Sequence, residues 1–385
     1  MTTETVKGMQ DYTGEEARKR QKIKGIIALT FQDYGFELAE TPLIEFEEFV
    51  RGENVSDEAV SDVFKLQDRG KRNLALRYEF TFQLKRIAQN KKLPYRRYQI
   101  GEIFRDEPTT SNRFRQFTQC DADIVGSTIK EEAEILTILS KILEKLNIDA
   151  VIYINSRKLL NEILEKEGIK QKTEVIREID KLDKLPESEV KNNLKKYKAE
   201  KVVEIFKKPE SFFKKYDSYR EVQELEEYCK DYKIKVNFLP SLARGLSYYN
   251  GSVFEVKTKA MKETIAAGGS FLVNNVQSTG ISFGLNRIDQ LAKIKTDEKR
   301  VLIISIGQDK ESIELAEKIR KENIPCVVMY GKPSKALEFA NSYGLPYVIF
   351  FGEEEAKKKK VKLRDMKSGK EEMLSEKDVV DKLKK

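Results

Sequence analysis

The chain has no histidine and no tryptophan, and only three cysteines and nine prolines in 385 residues. Each scarcity removes a class of function. Imidazole is the usual general base and metal ligand near neutral pH, so without it a serine or cysteine triad and a histidine-ligated metal are excluded. Chemistry must rest on arginine, carboxylate, tyrosine or a bound ion. Cys120, Cys229 and Cys326 are too widely separated for a disulfide framework or a CxxC metal site, and they read as reduced, structural residues. No window approaches the roughly eighteen uninterrupted apolar residues of a membrane helix. The opening MTTETVKGMQDYTGEE has neither a secretory apolar core nor an acid-poor transit pattern, so a cytoplasmic protein with no membrane partner is expected.

What remains is enough for two or three domains, since 39% of the residues are apolar. Against 72 basic residues stand 64 acidic ones, a net charge of +8. That excess admits nucleic acid as a partner without requiring it.

Ile23, Ile27, Phe31 and Tyr34 recur at helical spacing, and Gly35 sits where a helix ends. Residues Asn73 to Arg86 read as a strand turning into a helix. Arg97–Phe104 and Arg113–Val125 read as a hairpin whose loop, RDEPTTSN, carries Pro108 and Asn112. Ile135, Leu139, Ile142 and Leu146 line one side of a further helix, and the strand-like AVIYIN follows. From about Arg157 the chain turns rich in lysine and glutamate with helical periodicity, an insertion within a sheet domain. Strand signals return at Lys235–Phe238, Tyr248–Lys257 and Gly280–Leu285. Beyond Lys299 strands alternate with helices, as in an α/β unit with a largely parallel sheet.

Alternation in the strand from Arg113 puts Arg113, Arg115, Phe117, Gln119, Asp121 and Asp123 on one face, opposite an apolar face of Phe114, Thr118, Cys120, Ala122 and Ile124. The first face suits a zwitterionic ligand beside a phosphate-bearing one, although a solvated face with cross-strand ion pairs would use the same residues. Arg105, Arg244 before Gly245, and Arg287 closing GISFGLNR fall at strand ends, where guanidinium forks can clamp phosphate. Gly280 and Gly284 leave room for a base or phosphate against their strand.

These segments resemble the histidyl-tRNA synthetase family of class II aminoacyl-tRNA synthetases nearly end to end. KGMQDYTGEEARKR through ETPLIE is similar to the family's start and first class motif; LALRYEFT and FRDE through RFRQFTQCDAD to the substrate region and second motif; ARGLSYYNGSVFEV to the two-tyrosine histidine-site motif; GISFGLNRI to the third. The resemblance implies an α+β catalytic domain with an antiparallel sheet (residues 1–156 and 235–297), a helical insertion (157–234) and a C-terminal α/β anticodon-binding domain (298–385). It implies a homodimer that joins L-histidine to histidine tRNA through a histidyl-adenylate, with ATP as substrate and Mg2+ as cofactor.

By the same resemblance Glu79, Thr81 and Gln119 would hold the substrate amino group. Asp123 and Tyr249, supported by Tyr248, would read the imidazole. Arg105 and Arg113 would grip the ATP phosphates, Glu107 would meet the adenine edge, and Phe117 and Arg287 would sandwich its ring. Arg244 would be the catalytic arginine. Ser247 and Asn250 stand where the family commonly has aspartate and threonine, and GGSFLVNN where it has GGRYDNL. A synthetase-like regulatory subunit of histidine biosynthesis, catalytically inactive, would share part of this pattern. Such subunits generally lack the anticodon domain and ATP-site arginines. The chemistry needs no enzyme histidine, and a chain without one could be made when charged histidine tRNA is scarce.

Overall fold

The computed structural model describes residues 3–52, 62–110, 112–244, 248–296 and 300–384. Gly245, Ser247 and the Ser111 of the loop tip therefore lie outside the described residues. Contacts divide the chain into two compact units, Met1–Ile294 and Lys295–Lys385.

The strands of the first unit are β1 (Glu37–Leu38), β2 (Ile44–Phe46), β3 (Lys65–Gln67), β4 (Asn73–Leu76), β5 (Tyr95–Phe104), β6 (Gln116–Val125), β7 (Val151–Ser156), β8 (Asn237–Phe238), β9 (Tyr249–Thr258), β10 (Met261–Val273) and β11 (Val276–Gly284). Eight of them form one sheet in the order β1-β5-β6-β11-β10-β9-β7-β8. Its six central strands are antiparallel, and the short edges β1 and β8 pair in parallel. A small antiparallel sheet, β2-β4-β3, stands apart.

One face of the large sheet is covered by the helices Gly14–Asp33 and Ile129–Lys145. The first presents Ile23, Ile27 and Phe31 inward at 3.6-residue spacing and gives way at Gly35, whose φ of +75° few side chains tolerate. The second begins in a capping box, where Thr128 Oγ1 accepts from the Lys130 N–H and Glu131 accepts from the Thr128 N–H. Its Ile135, Leu139 and Ile142 are fully buried with Cys120, Ala122 and Ile124 of β6. Each such side chain contributes about 1.5–3 kcal/mol on burial, so β6 is fixed with its other face open. The helical stretch after β7, from Arg157–Lys166 to Tyr219–Asp231, buries Leu160, Val175 and Val222 in that same core.

β10, the longest strand, is absent from the reading of the sequence. It turns into β11 through Asn274 and Asn275, with φ of 49° and 62°, between the paired Val273 and Val276. This is a two-residue turn that asparagine tolerates and that matches strand twist. Gly268 lies so close to the Gly280 carbonyl and the Phe254 ring that a Cβ would overlap both.

The second unit has β12 (Val301–Ser305), β13 (Cys326–Tyr330), β14 (Tyr347–Phe351), β15 (Val361–Asp365) and β16 (Glu371–Leu374), ordered β13-β12-β14-β15-β16. β12, β13 and β14 are parallel, and β15 and β16 add an antiparallel hairpin. Helices Asp309–Lys321 and Pro333–Ser342 make the crossovers.

Candidate active site

The open face of β6 floors a cavity of about 330 Å³. Eleven of the twelve residues expected at the site line it: Glu79, Thr81, Arg105, Glu107, Arg113, Phe117, Gln119, Arg244, Tyr248, Tyr249 and Arg287.

At one end the cations gather. Arg105 follows the last residue of β5, its Nε donating to the Tyr78 carbonyl at 3.1 Å and its guanidinium lying 5.4 Å from the Phe117 ring. Glu107 stands 3.8 Å from both Arg105 and Arg113. Arg287 donates to the Thr264 carbonyl at 2.6 Å. Burial, and then the nearness of Arg113 and Arg105 against the pull of Glu263, lowers its proton affinity. Three guanidinium groups crowded against one wall are short of negative charge, the condition that a polyphosphate relieves.

At the other end the groups are buried and phenolic or acidic. Tyr248 and Tyr249 have ring centroids 4.8 Å apart, and Tyr248 packs edge-on to Phe271 at 5.6 Å. Burial raises both phenols, so they are neutral hydrogen-bonding groups near pH 7. Thr81 opens the helix Thr81–Ile87 and is hydrogen-bonded to Tyr248. Between the ends, Gln119 donates to Ser282 Oγ at 2.6 Å.

Arg244 is held by backbone as well as charge. Its φ is 53°, Arg157 donates to the carbonyls of Ala243 and Arg244 at 3.0 and 3.3 Å, and its own Nη1 donates to Glu255 at 2.7 Å. Burial alone would raise the Glu255 carboxyl, but Arg244 and then Lys257 keep it below its ordinary value.

Three placements correct the alternation argument. β6 starts at Gln116, so Arg113 and Arg115 belong to the preceding loop; Arg115 instead pairs with Asp106 at 3.2 Å, and Phe114 lines the cavity rather than the core. Gly280 makes room for Asp123, whose carboxylate occupies the space of the missing side chain, whereas Gly284 has open space and lines the cavity. Asp123 lies behind the cavity lining, paired with the fully buried Arg97 at 2.8 Å, while Asp121 of the same face is part of that lining.

The sequence reading also missed Thr264–Ala267, because β10 was missed, together with Ser282 and Asn286. Ser282 was findable, since it alternates between Gly280 and Gly284 on β11. The replacement Asn250 exchanges hydrogen bonds of 3.1 and 3.2 Å with Gln277.

An antiparallel sheet with helices on one face and a nucleotide-sized, arginine-walled cleft on the other defines the class II aminoacyl-tRNA synthetases. Within that class the chain belongs to the histidyl-tRNA synthetase family: residues 8–288 match the model described as Histidyl-tRNA synthetase, and residues 300–385 match one described as Anticodon binding domain. It is 34% identical over 413 residues to Histidine--tRNA ligase 1 of Bacillus cereus, spanning 96% of this chain and 95% of that one. Histidine--tRNA ligase of Wolinella succinogenes is 32% identical, with 96% and 95% covered. In fold it is similar to the crystal structure of histidyl-tRNA synthetase from Nostoc sp. PCC 7120, with a TM-score of 0.87 at 22% identity over 100% and 99% of the two chains.

Proposed function

We propose that the chain attaches histidine to its tRNA in two ATP-dependent steps, in the cytoplasm and as a homodimer. The observation that carries this reading is the polarity of one cavity, with Arg105, Arg113 and Arg287 at one end, Tyr248, Tyr249 and buried carboxylates at the other, and Gln119 and Arg244 on its lining.

ATP enters at the arginine end, its ring between Phe117 and Arg287 and its adenine edge at Glu107. Histidine enters at the tyrosine end, its ammonium accepted by Glu79, Thr81 and Gln119. Its carboxylate, already ionised, attacks the α-phosphate; the bond to the β-phosphate breaks, and pyrophosphate leaves with the histidyl-adenylate formed. The 3′-terminal ribose hydroxyl of the tRNA then attacks the activated carbonyl and AMP departs. No enzyme group need act as nucleophile, so positioning and charge stabilisation by Arg244 and the phosphate-end arginines supply the catalysis.

Mg2+ belongs to this reading as an ion carried by the nucleotide. Among the described residues no three acidic or cysteine side chains stand together as a metal cage, and magnesium commonly keeps its waters and relies on substrate phosphates.

Residues 1–156 and 235–297 act as the catalytic domain and 157–234 as its insertion, while 298–385 read the anticodon. The dimer reading rests on exposed Leu38, Leu43, Ile44, Phe46 and Leu66, with Phe46 and Leu66 flanking Leu74 in register on the small sheet. Among the described residues no helix is long and apolar enough to cross a membrane. A regulatory subunit without activity gains no support, since the arginine wall and the second unit are both retained.

The test is ATP–pyrophosphate exchange with each standard amino acid in turn, then charging of total tRNA, on protein whose solution mass is measured. Exchange with histidine alone, charging, and twice the chain mass are expected. Folded protein that binds histidine yet exchanges nothing would overturn the reading in favour of a regulatory role.

A further inference from the structure

We propose that Gly8 and Tyr12 are positioning residues for the nucleotide: from outside the cavity, the segment between them straps together the two elements that would close on the adenine ring. This rests on the proposed function above, which puts that ring between Phe117 and Arg287 with its edge at Glu107.

Neither residue lines the cavity. At one end of the segment the Gly8 carbonyl accepts from the N–H groups of Arg115 and Gln116, at 2.8 and 3.2 Å, where the loop after β5 enters β6. Gly8 has a φ of +85°, and a Cβ there would lie 2.7 Å from Thr109 Cγ2 and 2.9 Å from Arg115 Cγ. Only glycine meets both conditions. Arg115 passes the restraint on, since its Nε donates to the Glu107 carbonyl at 3.2 Å and its guanidinium pairs with Asp106, also at 3.2 Å. The loop residue that would meet the adenine edge is thereby fixed from behind.

At the other end the target is the helix Leu285–Leu291. Asn286 Nδ2 donates to the Tyr12 hydroxyl at 2.9 Å, and that hydroxyl donates in turn to Gln10 Oε1 at 3.0 Å. Arg20 of the helix Gly14–Asp33 lies 3.7 Å over the Tyr12 ring and donates to Asn286 Oδ1 at 3.2 Å and to Thr118 Oγ1 at 3.4 Å. It also faces Asp289 at 3.8 Å, as does Lys19 at 3.4 Å. Asn286 and Arg287 are neighbours on this short helix and both line the cavity, while Thr118 lies between Phe117 and Gln119 on β6. One stretch of backbone therefore holds both sides of the adenine slot.

The segment adds little to the core. None of residues 3–13 is buried, and Gln10 and Tyr12 border a second cavity of about 350 Å³. Its contacts are polar and go to the arginine end, where a shift of about 1 Å in a binding group can cost about 10²-fold in rate.

The test is histidine-dependent pyrophosphate exchange, with ATP binding by calorimetry and thermal unfolding, on the full chain carrying Gly8→Ala, Tyr12→Ala or both. Each single variant should raise the KM for ATP at least fivefold, leave the KM for histidine within twofold and melt within a few degrees of the parent. Because the two residues anchor one strap, the double variant should be no worse than the more impaired single one. Tyr12→Phe keeps the ring under Arg20 and lacks the hydroxyl, so its KM for ATP should fall between those of the parent and Tyr12→Ala. An unchanged KM for ATP, an equal rise in both KM values, or losses that multiply in the double variant overturns the proposal. Should the alanine variants not fold, Tyr12→Phe decides, an unchanged KM for ATP again counting against the strap. Silence of the parent chain with histidine would instead count against the proposed function and leave the ATP affinities of the variants to decide this one.

Discussion

The catalytic role proposed for Arg244 is tied to stability through one ion pair. Its guanidinium is the partner of Glu255, a residue 6% exposed on β9, whose other cation, Lys257, is 3.5 Å away. Removing one partner of such a pair leaves a buried charge uncompensated, and that loss usually exceeds what the intact pair contributes. Arg244→Ala should therefore lose about 1–3 kcal/mol of stability as well as about 10²–10³-fold in adenylate formation, the usual scale for deleting one preorganised donor. Adding Glu255→Gln separates the two effects. The double variant should regain its midpoint in urea while exchange stays low; recovery of exchange along with stability would show that Arg244 acts only through the fold. The acidic face of β6 teaches a related point about single residues. Alternation put Gln119, Asp121 and Asp123 on the correct side of the sheet, but depth along the strand depends on Gly280 and Arg97, residues distant in sequence that period-two spacing cannot reveal.

Between elements, the helix Ile129–Lys145 meets the sheet through polar contacts as well as its apolar face, Glu134 pairing with Arg96 of β5 at 2.6 Å and Glu132 reaching two further strands. Glu132 accepts from Ser270 of β10 and is hydrogen-bonded to Ser252 of β9, with Glu221 of the helix Tyr219–Asp231 and Lys158 as its charged neighbours. Glu221 is itself tied to Ser156 at 2.6 Å and to Lys158 at 2.7 Å. Burial pushes the Glu132 carboxyl up to about 7 from 4.5, against the two serine hydrogen bonds. The folded state then holds a proton that the unfolded chain releases above pH 4.5, so stability falls as pH rises from 4.5 to 7, and the deficit, about 3 kcal/mol at most, is complete above pH 7. Glu132→Gln should remove that deficit. In thermal unfolding across pH 4.5–8.5 the variant should melt roughly 5 °C higher at the alkaline end and converge on the parent at the acid end; a gap independent of pH would contradict the assignment. At this scale much was legible in advance. The helix Gly14–Asp33, the β5–β6 hairpin and the alternating strands and helices beyond residue 300 carry their period in their own residues. β10 does not: its Ala266, Ala267, Gly268 and Gly269 are small because β9 and β11 press against them, and small residues carry little periodic signal. The same gap hid the cavity wall at Thr264–Ala267.

For the molecule as a whole, the lack of histidine and the proposed reaction fit together. In that reaction the substrate carboxylate is the nucleophile and arginines stabilise the phosphate charge, and the described cavity is lined by carboxylates, tyrosines and amides in place of imidazoles. Nothing in folding calls for histidine either, since both units close on aliphatic and aromatic cores. The consequence concerns supply. Most proteins stall on the ribosome when charged histidine tRNA runs out, whereas this chain contains no position at which that tRNA is required. An enzyme that regenerates charged histidine tRNA can then be made when its own product is exhausted, so the loss of charging capacity does not feed back on its synthesis. Cell-free translation with histidine withheld and the resident histidine-charging enzyme removed should yield full-length chain at the rate seen with histidine present, and that chain should charge tRNA once histidine is restored. A control carrying Lys7→His, a substitution at an exposed position, should arrest near its start under the same depletion. If histidine withdrawal lowered the yield of the unaltered chain as much as that of the control, the supposed independence would not exist, and the missing histidines would have no bearing on how the enzyme is maintained.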